Sequence, residues 1–191
     1  MPKQNEHNLT QGTNPLLGDK DKMWTTRDGQ GAETETSEFI GALIRLIKPA
    51  VVVETGSYLG DTTVAIAKAL KENDYGKLYS CDINKAYVEN VNQWLEKEGL
   101  QEWGQVLLIT GQELIAQLGN QIEFAFIDSG GGKGVRDNEI KTLIPFMKSL
   151  QMFALHDTAP QHAGISAVAS MTKLPKVYFN CPRGLTLFQK P

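Results

Sequence analysis

Five residues, Ala50-Val51-Val52-Val53-Glu54, followed at once by Thr55-Gly56, set most of what this chain can fold into. A β-branched run without polar alternation reads as a strand buried on both faces, which is a parallel strand covered by helices. The flanks supply those helices. Phe39, Ile40, Leu43, Ile44 and Ile47 recur at helical spacing from Thr36 until Pro49 ends the pattern, and Thr62–Lys71 carries Val64, Ile66, Ala67 and Leu70. The alternation then repeats: strands are predicted over Lys77–Asp82, Val106–Thr110, Ile122–Asp128 and Gln151–Leu155. Helices are predicted over Lys85–Gly99, Glu113–Leu118, Asp137–Ser149 and Gly164–Thr172. The end of the chain differs, because Lys176–Asn180 and Leu185–Gln189 flank Cys181-Pro182-Arg183-Gly184, a hairpin turn. The expectation is an α/β, doubly wound, mostly parallel seven-stranded sheet that ends in an antiparallel hairpin.

The 191 residues suit one domain, with 1–32 as an irregular arm and 33–191 as the folded body. In the arm only Leu16, Leu17, Met23 and Trp24 are sizeable apolar groups, able to pin it to the body or to form part of a lid. A formal charge of -3 with no local Lys/Arg run gives no basic footprint, so no nucleic-acid partner is expected. No apolar run is long enough to span a bilayer, and Met1–Asn14 lacks the layout of a signal peptide. Cys81 and Cys181 have no ligand-like spacing and read as reduced thiols, so no membrane partner and a cytoplasmic location are expected.

Ligands of such sheets bind outside the carboxyl ends of the strands, where the strand order reverses. This directs attention to Glu54–Asp61, Asp82–Asn84, Thr110–Glu113, Asp128–Gly134 and His156–Pro160. Gly56 permits a tight turn and Gly60 the start of the next helix, but G-x-x-x-G lacks the middle glycine of the dinucleotide fingerprint. Glu54 is more informative. A carboxylate beside that turn would repel a pyrophosphate, whereas it suits S-adenosylmethionine, which carries a sulfonium and an ammonium and no phosphate. Asp82 closes the second strand and is placed to accept hydrogen bonds from both ribose hydroxyls.

The stretch Lys48–Thr63, with Glu54-Thr55-Gly56-Ser57-Tyr58-Leu59-Gly60 at its centre, resembles motif I of class I, Rossmann-like S-adenosylmethionine-dependent methyltransferases. It is most similar to the small-molecule O-methyltransferases of the catechol and caffeoyl-coenzyme A type. The similarity continues through Gly76–Asn84 and Phe124–Asp128. It implies that Glu54, Gly56, Ser57, Tyr58 and Gly60 line the methionine end of the cofactor, with Thr62 holding its carboxylate. It implies further that Asp82 binds the ribose, Ile83 packs on the adenine, Gly111 and Gln112 border that ring, and Asp128 lies beneath the sulfonium. A small-molecule substrate follows, and a homodimer is implied by relatives, with no interface legible in the residues.

The family pattern breaks at the catalytic end. Metal-dependent members hold Mg2+ with an Asp after the fourth strand and an Asp-Asn pair after the fifth, which leaves Asp128 and Asp157 as the candidate metal ligands. The Asp-x-Asp-Lys of the family is replaced by Ser129–Gly134, and Thr158 stands for the Asn. The His156-Asp157 step is similar instead to cephalosporin-type methyltransferases, so His156 is a candidate general base. Lys133, in a glycine-rich loop over the site, is a candidate to reach the substrate. Two readings stay open: O-methylation of a small hydroxylated molecule, and a cofactor-binding protein of the same fold without methyl transfer. A nicotinamide oxidoreductase is disfavoured by Glu54, and there is no Asn-Pro-Pro-Tyr-like step for a flipped base.

Overall fold

The structure is a computed structural model and describes residues 23–130, 134–146, 149–162, 165, 169 and 173–189. Its strands are β1 (Val51–Thr55), β2 (Lys77–Asp82), β3 (Gly104–Leu108), β4 (Phe124–Ile127), β5 (Met152–His156), β6 (Lys176–Phe179) and β7 (Leu185–Gln189). They form one seven-stranded sheet in the order β3-β2-β1-β4-β5-β7-β6. The pairs among β1 to β5 are parallel, and β7 runs antiparallel to both β5 and β6. The expected sheet, with its closing hairpin, is the one observed.

Helices α1 (Thr34–Ile47), α2 (Asp61–Asn73), α3 (Lys85–Lys97), α4 (Gly111–Leu118) and α5 (Val135–Leu143) cover the two faces. Consecutive residues of a strand serve opposite faces. Val52 joins Ile40, Ile44, Leu70, Phe124 and Phe126 on one side, and Val53 joins Leu114, Ile115, Ile127, Phe153 and Phe188 on the other. That double burial is why the strands read as unbroken apolar runs.

Two boundaries moved for local reasons. β3 ends at Leu108, before the expected Thr110, because Thr110 caps α4: its hydroxyl accepts from Glu113 N and the Glu113 carboxylate accepts from Thr110 N. The helix expected to run to Ser149 stops at Leu143 and tightens into a 3-10 turn over Ile144–Phe146, where Pro145 has no N–H to donate. The helix expected over Gly164–Thr172 lies largely outside the described residues, as do residues 1–22 of the arm.

Register decides what shares the functional edge. Thr55 pairs with Cys81 on one side and Ile127 on the other, so Gly56, Asp82 and Asp128 lie at three adjacent strand ends. Ile127 pairs with Leu155, and His156 with Leu185, which brings His156, Asp157 and the Cys181–Gly184 turn to the same edge. The turn docks closely. Thr158 N donates to Gly184 O at 3.1 Å and Ala159 N to Arg183 O at 2.9 Å. Gly184 has φ 77°, and a Cβ there would lie 2.2 Å from Ala159 N, so only glycine lets the turn approach.

Candidate functional site

A cavity of about 580 Å3 opens at this edge, a size ordinary for small-molecule sites. Its floor is the β1–α2 loop. Gly56 adopts φ 83°, and a Cβ there would come within 2.7 Å of Asp128 O and Ser129 Cα, so the loop lies against the end of β4. Tyr58, at φ 45°, donates its N–H to Asp82 Oδ2 at 3.0 Å, and Asn84 N donates to Asp82 Oδ1 at 2.8 Å. The Asp82 carboxylate is thereby fixed from two sides, with lone pairs to spare on both oxygens. Ile83 beside it is 74% exposed, an apolar side chain on the cavity wall without a protein cover.

The remaining expected cofactor residues divide. Glu54, Gly56, Ser57, Tyr58, Gly60, Thr62, Gly111 and Asp128 all line the cavity. Gln112 does not: it is exposed on α4, of which only the first residue, Gly111, meets the pocket. Gly60 owes its identity less to the strand than to α3, since a Cβ there would stand 2.8 Å from Val91 Cγ1. The Thr62 hydroxyl shares a hydrogen bond of 2.8 Å with Ser37. The Ser57 hydroxyl is buried in the lining without a hydrogen-bond partner, an orphan that a bound polar group would satisfy.

Glu54 sits deeper than its position suggested. It is 1% exposed, and its Oε2 accepts hydrogen bonds from Thr63 (2.5 Å) and Ser80 (2.6 Å). Burial pushes its carboxyl up to about 7, against the two hydroxyl hydrogen bonds, with the Asp128 and Asp82 charges adding to the rise. A folded-state value above the ordinary 4.5 means that this group favours folding at low pH, an advantage lost as pH rises through about 7. Glu54→Gln keeps the acceptor oxygen and removes the charge. Relative to the parent, the ligand-free variant is therefore expected to gain about 2 kcal/mol between pH 5 and pH 8 in urea denaturation. An unchanged difference across that range would show that Glu54 does not titrate there.

An N-terminal segment crosses the mouth of the cavity. Arg27 stacks over the Trp94 ring at 5.1 Å and donates to Leu59 O at 3.1 Å. The Asp28 carboxylate takes the Gln30 and Gly31 N–H groups and the Tyr58 hydroxyl. Gln30, Gly31 and Ala32 are thereby held on the lining. The segment ends in Glu33, which is fully buried.

At the acceptor end His156 does not line the cavity; it lies behind the wall, 1% exposed. Nδ1 is 3.0 Å from Asp128 Oδ1 and Nε2 is 3.0 Å from Glu33 Oε2. An imidazole donates at both nitrogens only when protonated. Burial opposes that charge, but the Asp128 and Asp157 carboxylates with Glu33 outweigh it and raise the ring to about 10. The Glu33 carboxyl is correspondingly held down at about 2: burial opposes its charge, but the His156 hydrogen bond and charge prevail. The expected general base is thus an imidazolium with both protons committed. Lys133 lies outside the described residues.

The expected metal ligands are adjacent, but a side chain stands between them. Arg136 Nη2 donates to Asp128 Oδ1 at 3.1 Å and to Asp157 Oδ2 at 2.8 Å. Arg183 adds a fork on Asp157, Nε to Oδ1 at 2.6 Å and Nη2 to Oδ2 at 3.1 Å. Asp157 holds this position with φ 57°, a left-handed conformation uncommon outside glycine. Both of its oxygens are taken by cations, and the residues present do not fit Mg2+. Asp128 Oδ2 is the carboxylate oxygen left for the cavity. Nothing local in the sequence marked Glu33, Arg136 or Arg183 for this cluster.

Strand order, a glycine turn at the switch point and an acid closing the second strand define a Rossmann-like domain. The chain belongs to the methyltransferase domain family, which matches residues 53–158. It is 29% identical over 108 residues to catechol O-methyltransferase of Mus musculus, a stretch covering 56% of this chain and 38% of that enzyme. The match therefore spans well under half the length of that relative. In fold it resembles an S-adenosylhomocysteine-bound methyltransferase of Podospora anserina, with TM-score 0.73, 11% identity and coverage of 98% of this chain and 91% of that one. An O-methyltransferase of Bacillus cereus in complex with S-adenosylhomocysteine superposes with TM-score 0.68 at 14% identity, over 84% of this chain and 83% of that one. Among the described residues no helix is long and apolar enough to cross a membrane.

Proposed function

We propose that this protein transfers a methyl group from S-adenosylmethionine to an oxygen of a small hydroxylated molecule. The observation that carries this reading is a single cavity holding Glu54 beneath the glycine turn and the braced Asp82 carboxylate across from it. That pairing of acids suits a cationic nucleoside without phosphate. Asp82 takes the ribose hydroxyls, Ile83 covers the base, and Ser57 and Thr62 meet the polar methionine end. The names of the relatives support an oxygen acceptor.

Bound S-adenosylmethionine supplies a methyl already activated on a sulfonium, which leaves the protein to align the acceptor and accept one proton. Asp128 Oδ2, the oxygen not engaged by His156 or Arg136, accepts the hydrogen bond of the acceptor hydroxyl and takes its proton, which then passes to solvent. Its Oδ1 is held by His156 and Arg136, so the carboxylate cannot swing away. His156 acts through Asp128 and is a positioning residue.

S-Adenosylhomocysteine production should be measured over a panel of hydroxylated metabolites, with EDTA and with added Mg2+. Turnover with at least one acceptor, equal in the two conditions, is the expected result. Cofactor binding with no turnover on any acceptor would favour the second reading, a non-transferring cofactor-binding protein. Tight NAD binding would overturn both.

A further inference from the structure

Asp128, His156 and Asp157 each offer a ligand atom, and the three atoms lie within 4.8 Å of one another at the strand ends. Two carboxylates and an imidazole at such spacing are a donor set that a divalent cation takes readily. Here the space between the carboxylates is filled from within the chain. The Arg136 guanidinium spends every nitrogen on the two strand ends. Nη2 bridges Asp128 and Asp157, Nη1 donates to His156 O at 3.0 Å, and Nε donates to Ser129 O at 2.6 Å. Its side chain is 9% exposed, yet it lines the cavity.

The charges around it already balance. Asp128 and Asp157 stand against Arg136 and Arg183, two of each sign in direct contact, and His156 joins Asp128 to Glu33. Glu139 lies close by but faces elsewhere, accepting from Thr55 and from Ser129. Burial raises its carboxyl against those hydrogen bonds. A dication entering this cluster would bring two charges with nothing to neutralise them. It would also have to displace a buried guanidinium from both carboxylates and strain its bonds to Ser129 O and His156 O.

We propose that Arg136 is a built-in cation that occupies the place of a divalent metal between Asp128 and Asp157, so that this acceptor site is complete without one. The guanidinium ties the end of β4 to the end of β5, fixes the orientation of Asp128, and gives the cavity wall a permanent positive charge. An acceptor is held there by hydrogen bonds to fixed groups, not by chelation. The readout is metal binding and does not depend on methyl transfer, so it fails or stands separately from the activity proposed above.

The probe is Mn2+, followed by the paramagnetic resonance of the free ion and by thermal unfolding, on the full chain and on Arg136→Ala and Arg136→Lys. The parent is expected to show no saturable site below about 1 mM and no change in Tm with EDTA. Arg136→Ala, which vacates the space between the carboxylates and takes one cation out of the cluster while Arg183 stays on Asp157, is expected to bind Mn2+ at least about tenfold more tightly and to be stabilised by it. Arg136→Lys restores the charge and is expected to behave as the parent does. A saturable Mn2+ site in the parent that Asp157→Asn removes would overturn the proposal. So would a gained site in Arg136→Lys, or none in a folded Arg136→Ala. If Arg136→Ala folds only when Mn2+ is added, that rescue is itself the gained site; if it folds under neither condition, the parent and Arg136→Lys decide.

Discussion

Replacing His156 with alanine is expected to destabilise the protein by about 3–5 kcal/mol, the usual cost of removing one partner from a buried ion pair. The ring touches Glu33 on one side and Asp128 on the other, and its loss leaves the buried Glu33 carboxylate and the half-buried Asp128 facing a void. The pH dependence identifies the cause. Raised in the fold from 6.5 to about 10, the imidazolium binds its proton more tightly in the native state than in the unfolded chain. Its contribution is therefore complete below pH 6.5 and is lost as pH rises through about 10. Glu33 has the opposite sense: lowered from 4.5 to about 2, it contributes above 4.5 and is lost as pH falls through about 2. Denaturant unfolding of the parent should show a decline in stability between pH 7 and 10 that His156→Ala lacks. Should the parent instead show an acid limb in kcat/KM near pH 6.5 that His156→Gln abolishes, the ring would be a base after all.

The second large effect belongs to the cofactor side. Asp82→Ala is expected to weaken S-adenosylhomocysteine binding by at least about 100-fold, since each hydrogen bond to a charged acceptor is worth roughly 1.5–3 kcal/mol and two ribose hydroxyls are lost. The carboxylate is held ready by Tyr58 N and Asn84 N, so little ordering is left for the ligand to bring about. Asp82→Asn keeps one good acceptor and should lose about tenfold. Titration calorimetry with S-adenosylhomocysteine distinguishes these values. Affinity within threefold of the parent in a folded Asp82→Ala would remove the ribose from this residue.

The two halves of the site differed in how far they could be read beforehand, and the reason is distance along the chain. Glu54, Gly56 and Tyr58 form one loop, and Asp82 and Ile83 end one strand. A glycine turn after an apolar run and an acid closing the next are local patterns tied to strand ends. The sheet was legible for a similar reason, because strands buried on both faces carry uninterrupted apolar sequence. The acceptor half is built from residues that look ordinary where they stand. Glu33 precedes Thr34-Glu35-Thr36 and reads as one more acid at a helix start. Arg136 reads as a solvated residue in the first turn of α5, and Arg183 as a turn residue. Their burial comes from partners 123 positions away for Glu33 and His156, and 21 for Arg136 and Asp157. The partners of His156 were hidden for the same cause: its neighbours in sequence say nothing of Glu33.

The bond from Arg183 N to Glu33 Oε1, 2.8 Å long, joins residues 150 positions apart. Translation delivers them at different times. A nascent chain that has emerged as far as β5 holds every residue of the glycine loop and Asp82, and can begin to shape the nucleoside side of the cavity. It has no hairpin, so Glu33 lacks the Arg183 N–H and Asp157 lacks its fork. The ion cluster therefore closes last, after the final hairpin has left the ribosome. A chain cut before residue 183 would lack every bond that Arg183 gives to Glu33 and Asp157 in the acceptor wall.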